Sequence, residues 1–374
     1  MINIKNHLLK CTIASAVLCT YSAAFSSENY HSEQYVSHKK VEKVHDLACS
    51  SKKKIKYGRL NFKRVEGDLE FTRDYSTGFS TFEAPLWIND ILLISHISED
   101  LLPNGATTSR GMGVLFHESG KNLSVSEAFF VADAGANGMI TNAKQEVIAG
   151  FQGFGAVVNL KNTWHVAMMQ GEFVSEGYMG VRYNSPNDLA RHTNGTLYIT
   201  DRDLDAPGVP ISLRQAEQRV YTIKTTGEVT SLPDVPNDPD GIYLTKDEDH
   251  LYVGGSNGLV RYNVYDDGTV AGVDYSYTLY DNKDRPVSLN NVGGMTMDCS
   301  GNILISADEE LIVLGEDNNK IVARYPIPGL VNVAFGGKNR NIIVATTKTV
   351  MDEYGEKIPP QIYYSFVKGQ GMPY

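Results

Sequence analysis

Asn187-Asp-Leu-Ala-Arg-His-Thr-Asn-Gly-Thr-Leu-Tyr-Ile-Thr-Asp201 reads as a polar pair, a short apolar strand, an Asn-Gly turn and a second apolar strand. The template returns downstream in Asp240-Gly-Ile-Tyr-Leu-Thr-Lys-Asp-Glu-Asp-His-Leu-Tyr-Val253, Gly293-Gly-Met-Thr-Met-Asp-Cys-Ser-Gly-Asn-Ile-Leu-Ile305 and Asn332-Val-Ala-Phe-Gly-Gly-Lys-Asn-Arg-Asn-Ile-Ile-Val344. It is also present upstream, in Glu83-Ala-Pro-Leu-Trp-Ile-Asn-Asp-Ile-Leu-Leu-Ile-Ser95 and Asn137-Gly-Met-Ile-Thr-Asn-Ala-Lys-Gln-Glu-Val-Ile-Ala149. The six starts, 83, 137, 187, 240, 293 and 332, are separated by 54, 50, 53, 53 and 39 residues. A period near 50 with paired strands and polar turns is the mark of propeller blades. Further strands follow the pairs, such as Leu259–Val264 and Leu311–Leu314, which makes about four per blade.

No blade of this kind buries both faces by itself, so the sheets must stack around an axis. Helical periodicity is nowhere sustained, and neither a dinucleotide-binding nor a P-loop glycine pattern is present. The expected fold is all-β, a six-bladed β-propeller over residues 55–374, closed by an N-terminal strand such as Tyr57–Phe62 in the last blade. Lys161–Met169 is expected to pack an outer strand.

Lys and Arg number 34 against 44 Asp and Glu, a net charge of −10, which argues against nucleic acid as a partner because such a field repels phosphate. Two lysines in residues 1–10 precede the small-apolar run Cys11–Thr20, and Ser22-Ala23-Ala24 supplies small residues for a cleavage site. Residues 1–24 therefore read as a signal peptide, with an uncleaved anchor as the alternative, and 25–54 as a polar N-terminal arm in which His31, His38 and His45 belong to a solvated tail. The expectation is an exported chain, periplasmic or secreted, with no membrane span after cleavage; the apolar run is too short to cross a bilayer. Cleavage leaves Cys49 and Cys299, which either pair as a disulfide tying the arm to the body or stand as two unrelated thiols.

The innermost strands of a propeller line its channel, so the first residues of the repeats form a ring: Glu83, Asn137, Asn187, Asp240, Gly293 and Asn332. Five carry a carboxylate or carboxamide oxygen, the donors that a hard cation such as Ca²⁺ takes, and the ring has no Cys or His to suit zinc or copper. Asn-Gly and Asp-Gly are also ordinary turn chemistry, a sufficient account of Asn137 and Asn332 taken singly. Glu83 is no turn former, and a buried Glu facing other oxygens needs a cation or a raised pKa. His96 and His192 read as surface or capping residues.

These segments resemble the SMP-30/gluconolactonase/LRE family of six-bladed propellers, which includes calcium-dependent lactonases. The likeness lies in Phe82-Glu-Ala-Pro-Leu-Trp87, Asn184-Ser-Pro-Asn-Asp-Leu189 with Gly195-Thr-Leu-Tyr-Ile-Thr-Asp201, Asp240-Gly-Ile with Leu251-Tyr-Val253, Gly294-Met295 with Asp298 and Gly301-Asn302, and Asn332-Val-Ala-Phe-Gly-Gly337. The resemblance implies a channel-bound divalent ion, calcium, on Glu83, Asn187 and Asp240, with Asn137, Asn332 and Asp201 lining the channel and Asp201 and Asp203 bracing its loop. Two departures stand out. The family's Asp, taken as the base or as the group that activates water, falls on Gly293, while the ring position before it, usually Asn in the family, is Asp240; and a frequent Glu-His pair of blade two is Phe151-Gln152 here. The implied activity is metal-dependent opening of a lactone or cleavage of a related ester, with Asp240 left as the candidate base. The alternative is a non-catalytic propeller that binds a small molecule or partner, with the ion structural or absent.

Overall fold

The structure, a computed structural model, describes Cys49 and residues 53–66, 79–88, 91–98, 108–119, 121–132, 136–152, 155–160, 171–203 and 211–372. The expected signal peptide, the arm as far as residue 48 with its three histidines, and Lys161–Met169 lie outside these residues.

Among the described residues the chain builds six four-stranded antiparallel sheets in the arrangement of a β-propeller, one on each repeat. Blade one is Ser80–Ile88, Ile91–Ser98, Thr108–Ser119 and Asn122–Ala132; blade two is Ala136–Thr141, Val147–Phe151, Ala156–Asn159 and Glu172–Ser175. Blade three is Ser185–Arg191, Leu197–Arg202, Arg219–Ile223 and Val229–Ser231; blade four is Ile242–Leu244, His250–Gly255, Gly258–Val264 and Val270–Val273. Blade five is Val292–Met297, Ile303–Ala307, Glu310–Leu314 and Ile321–Pro326. Blade six takes Leu330–Gly336, Ile342–Thr347 and Ile362–Phe366 from the C-terminal end of the chain and Lys63–Arg64 from the N-terminal end.

The apolar side chains of the repeats are spent at the seams. Leu86, Leu93, Ala136, Met139 and Ala149 fill the seam of blades one and two, and Leu189, Ile199, Ile140 and Ile148 the next. Ala190, Tyr198, Ile242 and Val253 join blades three and four; Tyr252, Val292, Met295 and Ile305 join four and five. Leu304, Val313, Val333 and Phe335 hold five against six, and Phe82, Leu92, Ile94, Ile342 and Val344 close six against one. The strands run apolar on both faces because each sheet is covered on both sides by its neighbours.

The closing strand lies later than the sequence suggests. Tyr57–Arg59 is a 3-10 turn, and pairing begins at Lys63–Arg64, opposite Tyr364 and Tyr363. Tyr57 is buried in the seam of blades five and six, where its hydroxyl donates to Asp298 Oδ2 at 2.8 Å, so its segment is held by a side chain rather than by strand pairing. Beyond the strand, the Val65 amide donates to the Ile362 carbonyl, and the Val125 amide of blade one donates to the Glu66 carbonyl, each at 2.9 Å. Cys49 and Cys299 are joined by a disulfide across 250 residues. The N-terminal segment thus crosses from blade five to blade six to blade one.

Cys299→Ser is expected to lower unfolding free energy by about 2–5 kcal/mol in urea titrations, since the open chain regains loop entropy in its unfolded state. A loss below about 1 kcal/mol would show that strand pairing and the Tyr57–Asp298 bond close the ring unaided.

Candidate functional site

At the ring position the innermost strands depart from regular pairing. The register slips between Glu83 and Leu86, Ala136 and Met139, Pro186 and Leu189, Val292 and Met295, and Leu330 and Asn332. Blade four has its counterpart just before Ile242, where the Asp240 amide donates to the Gly254 carbonyl and the Gly254 amide to the Gly241 carbonyl, each at 2.8 Å. A bulge breaks strict alternation and re-aims its side chains, so two adjacent residues leave the pattern together. In blade one this puts Ala84 at φ 45°, a left-handed conformation held immediately after Glu83.

Glu83 is buried and accepts a hydrogen bond from Asn332 Nδ2 at 3.3 Å. Burial, reinforced by repulsion from Asp240, pushes its carboxyl up to about 8, against the pull of Asn332 and Arg202. The Asn332 Oδ1 accepts the Val333 amide at 2.7 Å, so that oxygen is already engaged. Asn187 and Asn137 are buried as well. Asn137 Nδ2 has no hydrogen-bond partner among the described residues, whereas its backbone carbonyl accepts from Ser95 Oγ at 2.7 Å.

Asp240 is not a free carboxylate. Its Oδ2 accepts from Arg202 Nη1 at 2.8 Å, and the same guanidinium holds Asp238 through Nε at 3.0 Å and Nη2 at 2.6 Å. Burial raises the Asp240 pKa while Arg202 opposes it. Burial also works against the charge of Arg202, but Asp240 and Asp238 outweigh it and hold the guanidinium above its ordinary range. The backbone ties the two blades at the same place: Thr200 Oγ1 donates to the Asp240 carbonyl at 2.6 Å and accepts the Asp188 amide at 2.9 Å.

Arg202 and Asp188 are members of the site that pattern reading missed. Asp188 Oδ1 accepts the Leu189 amide at 2.9 Å and its Oδ2 the Ile242 amide at 3.3 Å; burial nonetheless pushes its carboxyl up to about 7. It stands in the quoted Asn-Asp pair, but alternation assigns only one residue of a pair to the channel, and only the bulge brings the second. Asp201 is wholly buried in blade three, its oxygens accepting the Ser185 amide at 2.6 Å and the Asn184 amide at 3.0 Å; burial pushes it too up to about 7. Asp203 meets Arg214 at 3.9 Å. His192 is buried beside Glu248 at 3.3 Å and caps its turn, its Nδ1 accepting the Asn194 amide at 3.2 Å; His96 is buried in blade one, so neither is a surface residue.

At Gly293 the ring is closed sterically. A Cβ there would lie 2.5 Å from the Val331 carbonyl oxygen and 2.8 Å from Ser306 Oγ, and Ser306 Oγ already donates to Val331 at 2.6 Å. Phe151 and Gln152 are buried in blade two, and Gln152 Oε1 has no partner.

Among the described residues no three His, Cys, Asp or Glu side chains gather as a metal-holding group. An ion here needs carboxamide oxygens beside the carboxylates. The donor set fits that demand: oxygen ligands only, a buried Glu83 whose charge is poorly compensated, and more carboxyl groups than the single guanidinium neutralises.

Residues 106–349 match the SMP-30/Gluconolactonase/LRE-like region. The chain belongs to this family. A gluconolactonase of Zymomonas mobilis is 23% identical over 283 residues, covering 72% of this chain and 77% of the relative. In structure the chain is similar to a gluconolactonase of Xanthomonas campestris, with TM-score 0.57 and 19% identity over 87% of this chain and 93% of that one. It is also similar to a luciferin-regenerating enzyme, with TM-score 0.54 and 14% identity over 84% and 99% of the two chains. At these identities the structural likenesses show the propeller fold of this SMP-30/gluconolactonase/LRE-like chain.

Glu83, Asp188 and Asp201 bind protons more tightly folded than unfolded, since their native pKa values are raised. Their stabilisation is therefore complete below the unfolded carboxylate range, near pH 4, and lost as pH rises through 7 to 8. Metal-stripped protein is expected to show a lower urea midpoint at pH 8 than at pH 5, with a smaller loss in Glu83→Gln. Equal losses in the two proteins would show that Glu83 does not take up a proton on folding.

Proposed function

We propose that this chain is an exported lactonase-type hydrolase that opens a lactone, or cleaves a related ester, in the propeller channel with the help of a divalent cation, calcium. Family membership supports the lactonase-type chemistry and a small-molecule substrate. The disulfide is compatible with export, and no helix among the described residues is long and apolar enough to cross a membrane. The observation that carries the reading is the buried Glu83, with one long hydrogen bond among the described residues and Asp240 nearby: its charged form is disfavoured by burial and repulsion, and a cation beside it is what would restore that charge at neutral pH.

Glu83, Asn187 and Asp240 would hold the ion, and when bound it supplies electrophilic polarisation of the ester carbonyl. Asp240 would serve both as ligand and as base: Arg202 bonds its Oδ2 without claiming the whole carboxylate, and its Oδ1, without a hydrogen bond among the described residues, is the oxygen left to take a proton from water as the water oxygen bonds to the carbonyl carbon. The acyl C–O bond then breaks, and the proton passes to the leaving alkoxide, giving acid and alcohol. Asp188 and Asp201 do not compete for this role, because backbone amides occupy their oxygens.

Gly293 favours a second reading. With no carboxylate at that position and no Glu-His pair in blade two, the channel would bind a small molecule and release it unchanged.

Calorimetric titration of Ca²⁺ into metal-stripped protein is expected to show one site, lost in Glu83→Gln. On a panel of lactones and esters, Asp240→Asn is expected to lower kcat by roughly 100-fold or more. An ion bound without turnover of any panel member would support the second reading, and no ion bound would overturn the metal-dependent one.

A further inference from the structure

The cation that this chain visibly supplies to its channel is its own. Arg202 lies at the end of the second strand of blade three, most of its side chain buried, and reaches across the seam to blade four. Nε and Nη2 grip Asp238, while Nη1 holds Asp240 Oδ2 at 2.8 Å. The field of the guanidinium also favours the charged form of Glu83. A divalent ion on Glu83, Asn187 and Asp240 would therefore meet a fixed positive charge already bonded to one of its ligands.

We propose that Arg202 is a tethered competitor for the channel ion: its guanidinium occupies Asp240 when the channel is ion-free, and an ion must displace it or share that carboxylate against its repulsion. The proposal depends on an ion entering the channel, as proposed above. Competition follows from Coulomb's law in a buried setting, where two positive groups drawn to one carboxylate repel each other far more than in water. Asp238 moderates it. By taking two of the guanidinium's donors from a backbone held at φ 50°, it keeps part of the positive charge away from Asp240. Ion affinity is thus set by a residue that does not touch the ion, through a coupling that is reciprocal: whatever loosens Arg202 from Asp240 tightens the ion.

The test is Ca²⁺ calorimetry on the metal-stripped, full-length mature protein and three variants. Arg202→Gln removes the competing charge and is expected to bind Ca²⁺ about tenfold or more tightly than wild type. Arg202→Lys keeps the charge and is expected to stay within about threefold of wild type. Asp238→Asn gives the guanidinium wholly to Asp240 and is expected to weaken binding by about threefold or more. Circular dichroism confirms folding; should Arg202→Gln fail to fold, the opposed expectations for Asp238→Asn and Arg202→Lys still decide. Wild-type and Arg202→Gln affinities that are equal, or a weaker Arg202→Gln, would overturn the competition while leaving the ion in place. If Arg202→Gln does not fold, an Asp238→Asn affinity equal to wild type does the same. Absence of binding in all four proteins would overturn the channel ion itself, and the competition with it.

Discussion

Every blade of this ring leaves one apolar face for the next blade to cover, so the seam between blades six and one decides whether the other five are worth forming. Phe82, Leu92 and Ile94 of blade one meet Ile342 and Val344 of blade six there. The seam is assembled from residues far apart in the chain and carries the full entropy of closing it. The N-terminal segment meets that cost in three places: a covalent bond to Cys299, a buried hydroxyl on Asp298, and a strand on the edge of blade six that hydrogen-bonds onward to blade one. Because Lys63–Arg64 fills the outer edge of the last blade, it also covers a strand edge that would otherwise be open to pairing with another chain.

Closure forces the inner strands together around an axis, and regular pleating would aim their alternate side chains back into the seams. The bulges resolve that conflict. Where the register slips, at Glu83–Leu86 and Pro186–Leu189, polar side chains turn away from the apolar seam. The same slips bring a buried Glu83 and a half-buried Asp188 and Asp240 into one region, and loss of water there raises all three. The channel's chemistry is therefore a consequence of its packing: carboxyl groups of neighbouring blades are brought near one another, and one guanidinium crosses a seam to meet two of them.

The fold was legible because its signal is local. A turn dipeptide such as Asn194-Gly195 between two apolar strands says hairpin on its own, and recurrence near every 50 residues says stacked sheets. The closing strand was legible in kind but not in place, since nothing in Tyr57–Phe62 reveals that Tyr57 finds a partner at Asp298, 241 residues away. Arg202 was hidden for the same reason. It follows Asp201 at the end of a motif and reads as a solvated strand end, yet its partners lie 36 and 38 residues on, in the loop that enters blade four. Asp188 was hidden differently: the ring was read from the first residue of each repeat, and the bulge after Pro186 brings in the second as well.

Aspartate at 240 and arginine at 202 are joined across 38 residues of chain, and glycine at 293 marks the next sector of the ring. A side chain at 293 would strike the Val331 carbonyl unless the backbone of blade six moved, so blades five and six approach there as bare backbone. The acid at 240 sits instead beside blade three, within reach of Arg202, which a carboxylate at 293 would not share with Asp238. Compared with the pattern that the family resemblance implies, negative charge stands one sector earlier and arrives with a counter-charge. A buried acid that lost its guanidinium would be left uncompensated, and a buried guanidinium that lost its acids more so. Arg202, Asp238 and Asp240 must therefore be read as one unit, and substituting any of them singly tests the balance among them rather than the worth of one side chain.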